Sequence, residues 1–339
     1  MSFLKDHFLL DPGVVFLNHG SYGATPKPVF DAYQKWQRRL ETQPVLFLGR
    51  EFYSLIKESR RALGEYLHAS AEDLVYIPNA THGVNIVARS LALDPGDEIL
   101  TTDHEYGACD YTWEFVGSRT GTRYIRQPIP LPVETNEQIV EQFWKGVTPQ
   151  TKVIYISHIT SSTALRFPVE EISRRARQAD ILTIVDAAHA PGQIPVDLRA
   201  LGADVVFGNC HKWMLAPKGA AFLYVRRELQ DLIQPLIVSW GAHPTPDIAS
   251  GSRFVDILQW TGTKDPAAAL TVPEAIRFME EHRWEEVRCE SHALLRHAIE
   301  QVCDLTGMPP LYPLDSTFYS QMGIAPLPPS DLTVLKSRL

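Results

Sequence analysis

Up to about Ala69 the apolar positions recur at helical spacing. Val29, Tyr33, Trp36 and Leu40 form one stripe, and within Arg50–His68 the residues Phe52, Leu55, Ile56, Leu63 and Leu67 form a second. The spacing predicts a loop followed by two helices. Between Glu72 and Arg226 the texture changes. Short β-rich runs at Leu74–Ile77, Glu98–Thr102, Val153–Ser157, Ile181–Val185, Val205–Phe207 and Ala221–Val225 alternate with amphipathic stretches at Thr81–Leu93, Glu137–Trp144 and Val169–Ala179. Such alternation predicts a mostly parallel sheet with helices on both faces. Past Gly241 a loop rich in Pro, Gly and Thr leads to two more helical stretches, Pro266–His282 and Trp284–Val302. The segment Gly307–Leu339 holds six of the 25 prolines, one strand-like run at Ser316–Met322, and the beginning of a helix at Leu335.

Composition narrows the class. A chain of 339 residues is long enough for a large domain and a smaller one, since single cores stop growing at roughly 250–300 residues. A net charge of −8 and the absence of any Lys/Arg-rich run argue against a nucleic-acid surface. Cys109, Cys210, Cys289 and Cys303 are far apart and form no CxxC pair, which fits free thiols in a reducing cytosol. The first residues are charged where a signal peptide needs an apolar core, and no apolar run reaches membrane-spanning length. A cytoplasmic, water-soluble protein is expected, with no nucleic-acid or membrane partner.

The candidate chemistry starts at Ile181-Leu-Thr-Ile-Val-Asp186-Ala-Ala-His189. The β-run leads straight into an acid, which places Asp186 at a strand's carboxyl end, the edge where open α/β sheets bind ligands. The run Asp204–Phe207 precedes Gly208-Asn-Cys-His211-Lys212-Trp213, so strand, short helix and strand return Lys212 to the same edge. Pyridoxal 5′-phosphate (PLP) chemistry needs that pair: an amine to attack the cofactor aldehyde and a carboxylate to keep the pyridine nitrogen protonated. Its phosphate needs N–H donors at a helix start, which Asn79-Ala80-Thr81-His82-Gly83 supplies. Its ring needs a flat partner, for which His104 and Tyr106 in Asp103-His-Glu-Tyr-Gly107 are candidates. Taken singly these elements are common: acids often follow β-runs, His-Lys-Trp suits a surface turn, and Asn-Ala-Thr suits a plain helix cap. Their order, each at a strand end, carries the reading. A dinucleotide-binding GxGxxG after a strand is missing, as are HxxxH and HxH pairs, so dehydrogenase and metal-hydrolase readings fare poorly.

With these residues in place, the chain from Phe16 to about Leu335 resembles the class V branch of fold-type I PLP-dependent enzymes. The resemblance is most specific in Val185-Asp186-Ala-Ala-His189, Asn209-Cys-His211-Lys212 and Gln259-Trp-Thr-Gly262-Thr263. The wording of Leu17-Asn18-His19-Gly-Ser-Tyr22-Gly23 and Asp103-His-Glu-Tyr106-Gly-Ala is most similar to the isopenicillin-N epimerase subgroup. The resemblance implies Lys212 as the Schiff-base lysine, Asp186 as partner of the pyridine nitrogen and His189 at the phenolic oxygen. It implies Ala80, Thr81, Asn209 and His211 at the phosphate, Tyr106 stacked on the ring, and Ser161 near the phenolic oxygen or substrate. Gly262 and Thr263 resemble a segment that crosses a homodimer to the partner's phosphate, and Asn18, His19 and Tyr22 fall on the substrate side. No metal is implied.

The implied fold is a mostly parallel seven-stranded sheet flanked by helices, with a smaller, truncated α+β C-terminal domain. Residues 1–25 would form a substrate-side arm and 26–250 the large PLP-binding domain with its N-terminal helices. Residues 251–339 would hold the dimer-crossing loop, long helices and the incomplete small domain. Relatives continue into a strand with an arginine that binds the substrate α-carboxylate; this sequence stops first, and Arg338 stands in a different context. The implied function is chemistry at Cα of an amino acid, foremost epimerisation, with C–S lysis (as in desulfurases) and transamination as alternatives. A reading of another class is a PLP-binding protein without turnover.

Overall fold

The computed structural model describes residues 2–338. Seven strands, β1 (Leu74–Ile77), β2 (Glu98–Thr102), β3 (Arg123–Gln127), β4 (Thr151–Ser157), β5 (Leu182–Asp186), β6 (Val205–Asn209) and β7 (Ala221–Val225), form one sheet in the order β1-β7-β6-β5-β4-β2-β3. Only β7 runs against its neighbours. The helices that bracket the sheet are α1 (Lys27–Thr42), α2 (Phe52–Tyr66), α3 (Ala80–Ser90), α4 (Gly107–Thr120), α5 (Asn136–Trp144), α6 (Val169–Gln178), α7 (Val272–Glu281) and α8 (Trp284–Thr306). The α/β architecture is the expected one.

Alternation along the strands divides the interior in two. Tyr76, Leu100, Ile154, Ile156, Val185, Val206 and Phe222 point to one face, where Ile56, Leu63, Ile172 and Ile276 of the helices meet them. Their neighbours Val75, Ile99, Val153, Tyr155, Ile184, Phe207 and Leu223 point to the other, toward Val84 and Val87 of α3 and Trp113 and Val116 of α4. Strands buried on both faces need apolar residues at nearly every position, which is why these segments read as continuous β-runs. Each large side chain so buried contributes about 1.5–3 kcal/mol.

Two of the elements named above are additional to the predicted ones. β3 is an edge strand whose Arg-Tyr-Ile-Arg-Gln sequence is half-exposed, so it lacks the run of a buried strand. In α4 the buried Cys109, Thr112, Trp113 and Val116 recur at helical spacing, but Tyr111 and Phe115 lie exposed on other faces and hide the period. Conversely, Ser316–Met322 joins no strand ladder. Phe318 and Tyr319 are instead buried in the core from a turn, and Phe318 accepts the Arg166 N–H at 2.7 Å. The β-propensity of that run reflects burial, and neighbouring strands to pair with are missing.

α3 lies against the sheet more closely than a side chain allows. A Cβ at Gly83 would sit 2.9 Å from Phe207 and from the Ile77 Cδ1. Gly83→Ala is therefore expected to cost about 1–3 kcal/mol through overpacking, read as a lower urea midpoint; an unchanged midpoint would show that the helix can shift outward freely.

Candidate active site

The carboxyl ends of β4, β5 and β6 meet at one edge of the sheet. Register pairs Ser157 with Asp186 and Asp186 with Phe207, so Asp186 ends its strand in the middle of the edge. Its carboxylate is nearly inaccessible, at 4% exposure. Oδ1 accepts the Ala188 N–H at 2.8 Å, and Oδ2 accepts the Tyr155 hydroxyl at 3.1 Å and the Cys109 thiol at 3.6 Å. Burial raises the Asp186 carboxyl above the usual carboxylate range, opposed by the Ala188 N–H, by the charge of Lys212 and by the two side-chain donors.

Lys212 follows β6 on a tight loop in which Cys210 and His211 both donate backbone N–H groups to Ala220. Its Nζ lies 2.9 Å from His189 Nε2. Burial lowers the amine from its usual range, and the Asp186 carboxylate works in the other direction. Burial, aided by the Lys212 charge, pushes His189 down to about 3, so its imidazole is neutral. The N-terminal arm closes over the lysine loop. His19 Nε2 donates to the Lys212 carbonyl at 3.1 Å, and Gly23, at φ +70, comes so near that a Cβ there would lie 2.0 Å from the His211 carbonyl oxygen. Only glycine tolerates both that conformation and that approach.

The start of α3 forms the other end of the cleft. Asn79 caps it by accepting the His82 N–H at 2.8 Å, and Asn209 Oδ1 accepts the Ala80 N–H at 3.0 Å. The Thr81 hydroxyl has no protein partner among the described residues. His211 donates from Nδ1 to the Ala220 carbonyl at 3.0 Å and is pushed down to about 4 by burial, so Nε2 carries a lone pair and would hold an anion only together with a shared proton. An anion is favoured at such a helix start, where N–H groups and the helix dipole coincide. Anion donors at one end, a buried carboxylate at the other and an amine between them match the phosphate, the pyridine nitrogen and the aldehyde of PLP.

Of the residues singled out in the sequence, Asn18, Tyr22, Ala80, Thr81, Tyr106, Ser161, Asp186, His189, Asn209, His211 and Lys212 line this one cleft. His19 does not; its ring turns to the lysine backbone and packs 5.1 Å from the Trp213 ring. Gly262 and Thr263 lie elsewhere in the chain's own fold. Gly262 is at φ +111, and Thr263 borders a groove with Val45, Tyr53, Trp240 and Trp260. Of the two flat candidates Tyr106 faces the cleft, whereas His104 is buried, with Nε2 donating to the Ile129 carbonyl at 2.8 Å.

Asn79, named in the sequence as part of the helix start, also lines the cleft, and sequence reasoning missed Ser157, Ile159 and Met322, which line it too. Ser157 was within reach, because it ends a β-run beside the one that ends in Asp186. Its hydroxyl donates at 2.5 Å to Glu105, whose buried carboxyl is pushed up to about 7. Met322 carried no local signal: it arrives from the C-terminal segment, more than a hundred residues after Lys212.

Residues 15–314 match the family described as "Aminotransferase class-V". The isopenicillin N epimerase of Amycolatopsis lactamdurans is 34% identical over 336 residues, spanning 96% of this chain and 84% of that protein. An L-cysteine desulfhydrase-like protein of Epichloe uncinata is 30% identical over 299 residues, or 81% of this chain and 63% of the relative. Among solved structures, the cysteine desulfurase of Thermococcus onnurineus NA1 superposes with a TM-score of 0.77 at 20% identity, over 94% of this chain and 80% of that one.

His158 lies under the cleft, donating its backbone N–H to the Asp186 carbonyl at 2.8 Å, while both its ring nitrogens are buried without partners. Burial and nearby Arg166 push the ring down to about 3, against roughly 6.5 when unfolded. Between those values the unfolded chain binds a proton that the folded chain refuses, so stability falls as the pH drops through the window. His158→Leu removes that contribution. From pH 7 to pH 5 the variant is expected to lose about 2 kcal/mol less stability than the parent, measured by urea unfolding; equal losses would mean that His158 is protonated in the folded protein.

Proposed function

Because the chain belongs to the class V aminotransferase family, we propose that it is a PLP-dependent enzyme acting at Cα of an amino acid, as an epimerase of the isopenicillin-N type. The cofactor is pyridoxal 5′-phosphate. Bound in this cleft, it supplies an electron sink that acidifies the Cα hydrogen. The chain supplies the rest. Asp186 holds a proton at the pyridine nitrogen, and the start of α3 with Thr81, Asn209 and His211 anchors the phosphate. Lys212, with its amine lowered by burial, takes and returns the proton.

The observation that carries the epimerase reading is the set of hydroxyls sharing the cleft with Lys212. Inverting a carbon requires a proton carrier besides the lysine, and Tyr22, Ser161 and Tyr106 line the same space. No cysteine lines it among the described residues: Cys109 and Cys210 are buried with thiols raised well above their usual range. A desulfurase that carries sulfur on its own thiolate would need an accessible one at the cleft, and the exposed Cys289 lies on α8, outside the cleft lining. Similarity along nearly the whole chain to an isopenicillin N epimerase points the same way. The desulfhydrase-like relative supports C–S lysis as a second reading, since lysis uses the same lysine and aspartate.

The partner of this chain is a second copy. Val45, Val238 and Trp240 are apolar and largely exposed, and Val45 and Trp240 share a groove with Thr263. A homodimer would cover that surface and bring Thr263 toward the partner's phosphate site. Among the described residues no helix is long and apolar enough to cross a membrane.

Lys212→Ala is expected to abolish both the visible absorbance of the lysine-linked cofactor and its fixation by borohydride; a mutant that still fixes cofactor would overturn the assignment. The reaction is tested with L- and D-amino acids in heavy water. Deuterium at Cα with scrambled configuration is expected. Released sulfide or pyruvate would establish the lyase, keto acid that depends on an acceptor would establish a transaminase, and bound cofactor without exchange would mean binding without turnover. Trp240→Asp with Val45→Asp is expected to convert dimer to monomer in analytical ultracentrifugation and to weaken cofactor retention. A parent protein that is monomeric at micromolar concentration would refute the shared-site arrangement.

A further inference from the structure

The residue after Lys212 is a tryptophan that is 8% exposed. Its indole Nε1 lies 3.3 Å from His189 Nδ1, and the opposite nitrogen of that imidazole, Nε2, lies 2.9 Å from Lys212 Nζ. An indole N–H donates and cannot accept. Nδ1 therefore keeps its lone pair, and the proton of the neutral ring sits on Nε2, facing the lysine. A hydrogen bond from Nε2–H to Nζ needs a lone pair on the amine, so the amine at its end is neutral.

Reversing the chain of donors fails at each step. An ammonium at Lys212 would need a bare Nε2, which moves the ring proton to Nδ1, against the indole N–H. A doubly protonated ring would place charge in a buried site beside a second cation. His189 is also held at its backbone and hemmed in at its ring. Gln193 donates from its side chain to the His189 carbonyl at 2.8 Å. Gly20 lies so near that a Cβ would meet Trp213 at 3.2 Å and His189 at 3.5 Å.

We propose that Trp213 is a positioning residue: it fixes His189 as the Nε2–H tautomer and so presents Lys212 as a neutral, hydrogen-bonded amine ready to capture the cofactor. The other charged and titratable groups around Lys212 do not set this arrangement. Asp186 favours the ammonium, and Cys109 is held as a neutral thiol by burial. His211 faces Ala220 with its Nδ1, and His19 donates to the Lys212 carbonyl, away from the amine. The inference rests on the cleft being the PLP site only for its second readout.

The first readout uses cofactor-free protein labelled with nitrogen-15 at histidine. His189 is expected to show the Nε2–H pattern in the parent and a mixture of tautomers in Trp213→Phe, which keeps an apolar ring but loses the donor. The second readout is the pH dependence of cofactor capture, followed by absorbance after PLP is mixed with the apoprotein. With the ring free to flip, Nε2 can accept from an ammonium, so the amine's protonated form gains and the midpoint moves upward. Below the midpoint, capture by Trp213→Phe should slow about three- to tenfold, the worth of one hydrogen bond.

His189→Gln distinguishes this role from packing. A carboxamide has no tautomer to fix, so adding Trp213→Phe to His189→Gln should leave the capture profile unmoved. A Trp213→Phe protein that remains wholly Nε2–H would overturn the proposal. So would a Trp213→Phe effect of equal size in the glutamine background. If the tautomer behaves as expected while PLP is not captured at all, the cofactor assignment fails and the tautomer inference stands.

Discussion

A buried carboxylate at the middle of a sheet edge is the constraint on which the rest of this structure depends. Asp186 lies where water is excluded, and an isolated carboxylate there would cost many kcal/mol or take up a proton. The fold opposes that uptake with donors from three directions: the Ala188 N–H beyond the strand, Tyr155 from β4 and Cys109 from α4. Since Tyr155 and Cys109 also belong to the apolar core, the site and the interior cannot be built separately. A shift of β4 by one residue would turn Tyr155 to the other face and strand the carboxylate.

That dependence explains which parts were legible in the sequence. Asp186 and Lys212 are announced by short local patterns, a β-run ending in an acid and a second ending near a lysine, and strand alternation is enough to bring both to one edge. Asn79-Ala-Thr likewise announces a helix start by cap chemistry. The support for Asp186 is not legible in this way. Cys109 sits in α4, whose period is blurred by exposed aromatics, and Tyr155 is one apolar residue in a buried strand, with nothing to mark its hydroxyl as a donor. His19 shows the opposite error. Its neighbours in sequence line the cleft, but one helical turn swings its ring onto the Lys212 carbonyl.

The C-terminal segment shows a second limit. Ser316–Met322 has the composition of a strand, yet only sheet partners make a strand, and these residues meet helices and turns instead. Ser320 and Gln321 bond to Gln193 at 2.8 and 2.9 Å, and Gln193 in turn bonds to the His189 carbonyl. The segment is thus tied to the cofactor edge through one glutamine, which delivers Met322 to the cleft. Spacing along the chain cannot reveal a connection of this kind, because it depends on side chains that meet only after the core has formed.

These two classes of residue divide the work. Lys212, Asp186 and the start of α3 stand on strand ends or at a helix cap, where the sheet fixes them rigidly, and in the proposed reaction they would supply what chemistry at Cα requires. Tyr22, Ser161 and Met322 come from the arm, a loop and the C-terminal segment, and they share the cleft without belonging to the sheet. Relatives named for epimerisation and for desulfhydration resemble this chain along most of its length, so the elements common to them cannot distinguish the reactions. On the proposed reading, what decides the fate of the proton at Cα resides in the residues that loops bring to the cleft, where sequence can change without disturbing the buried carboxylate.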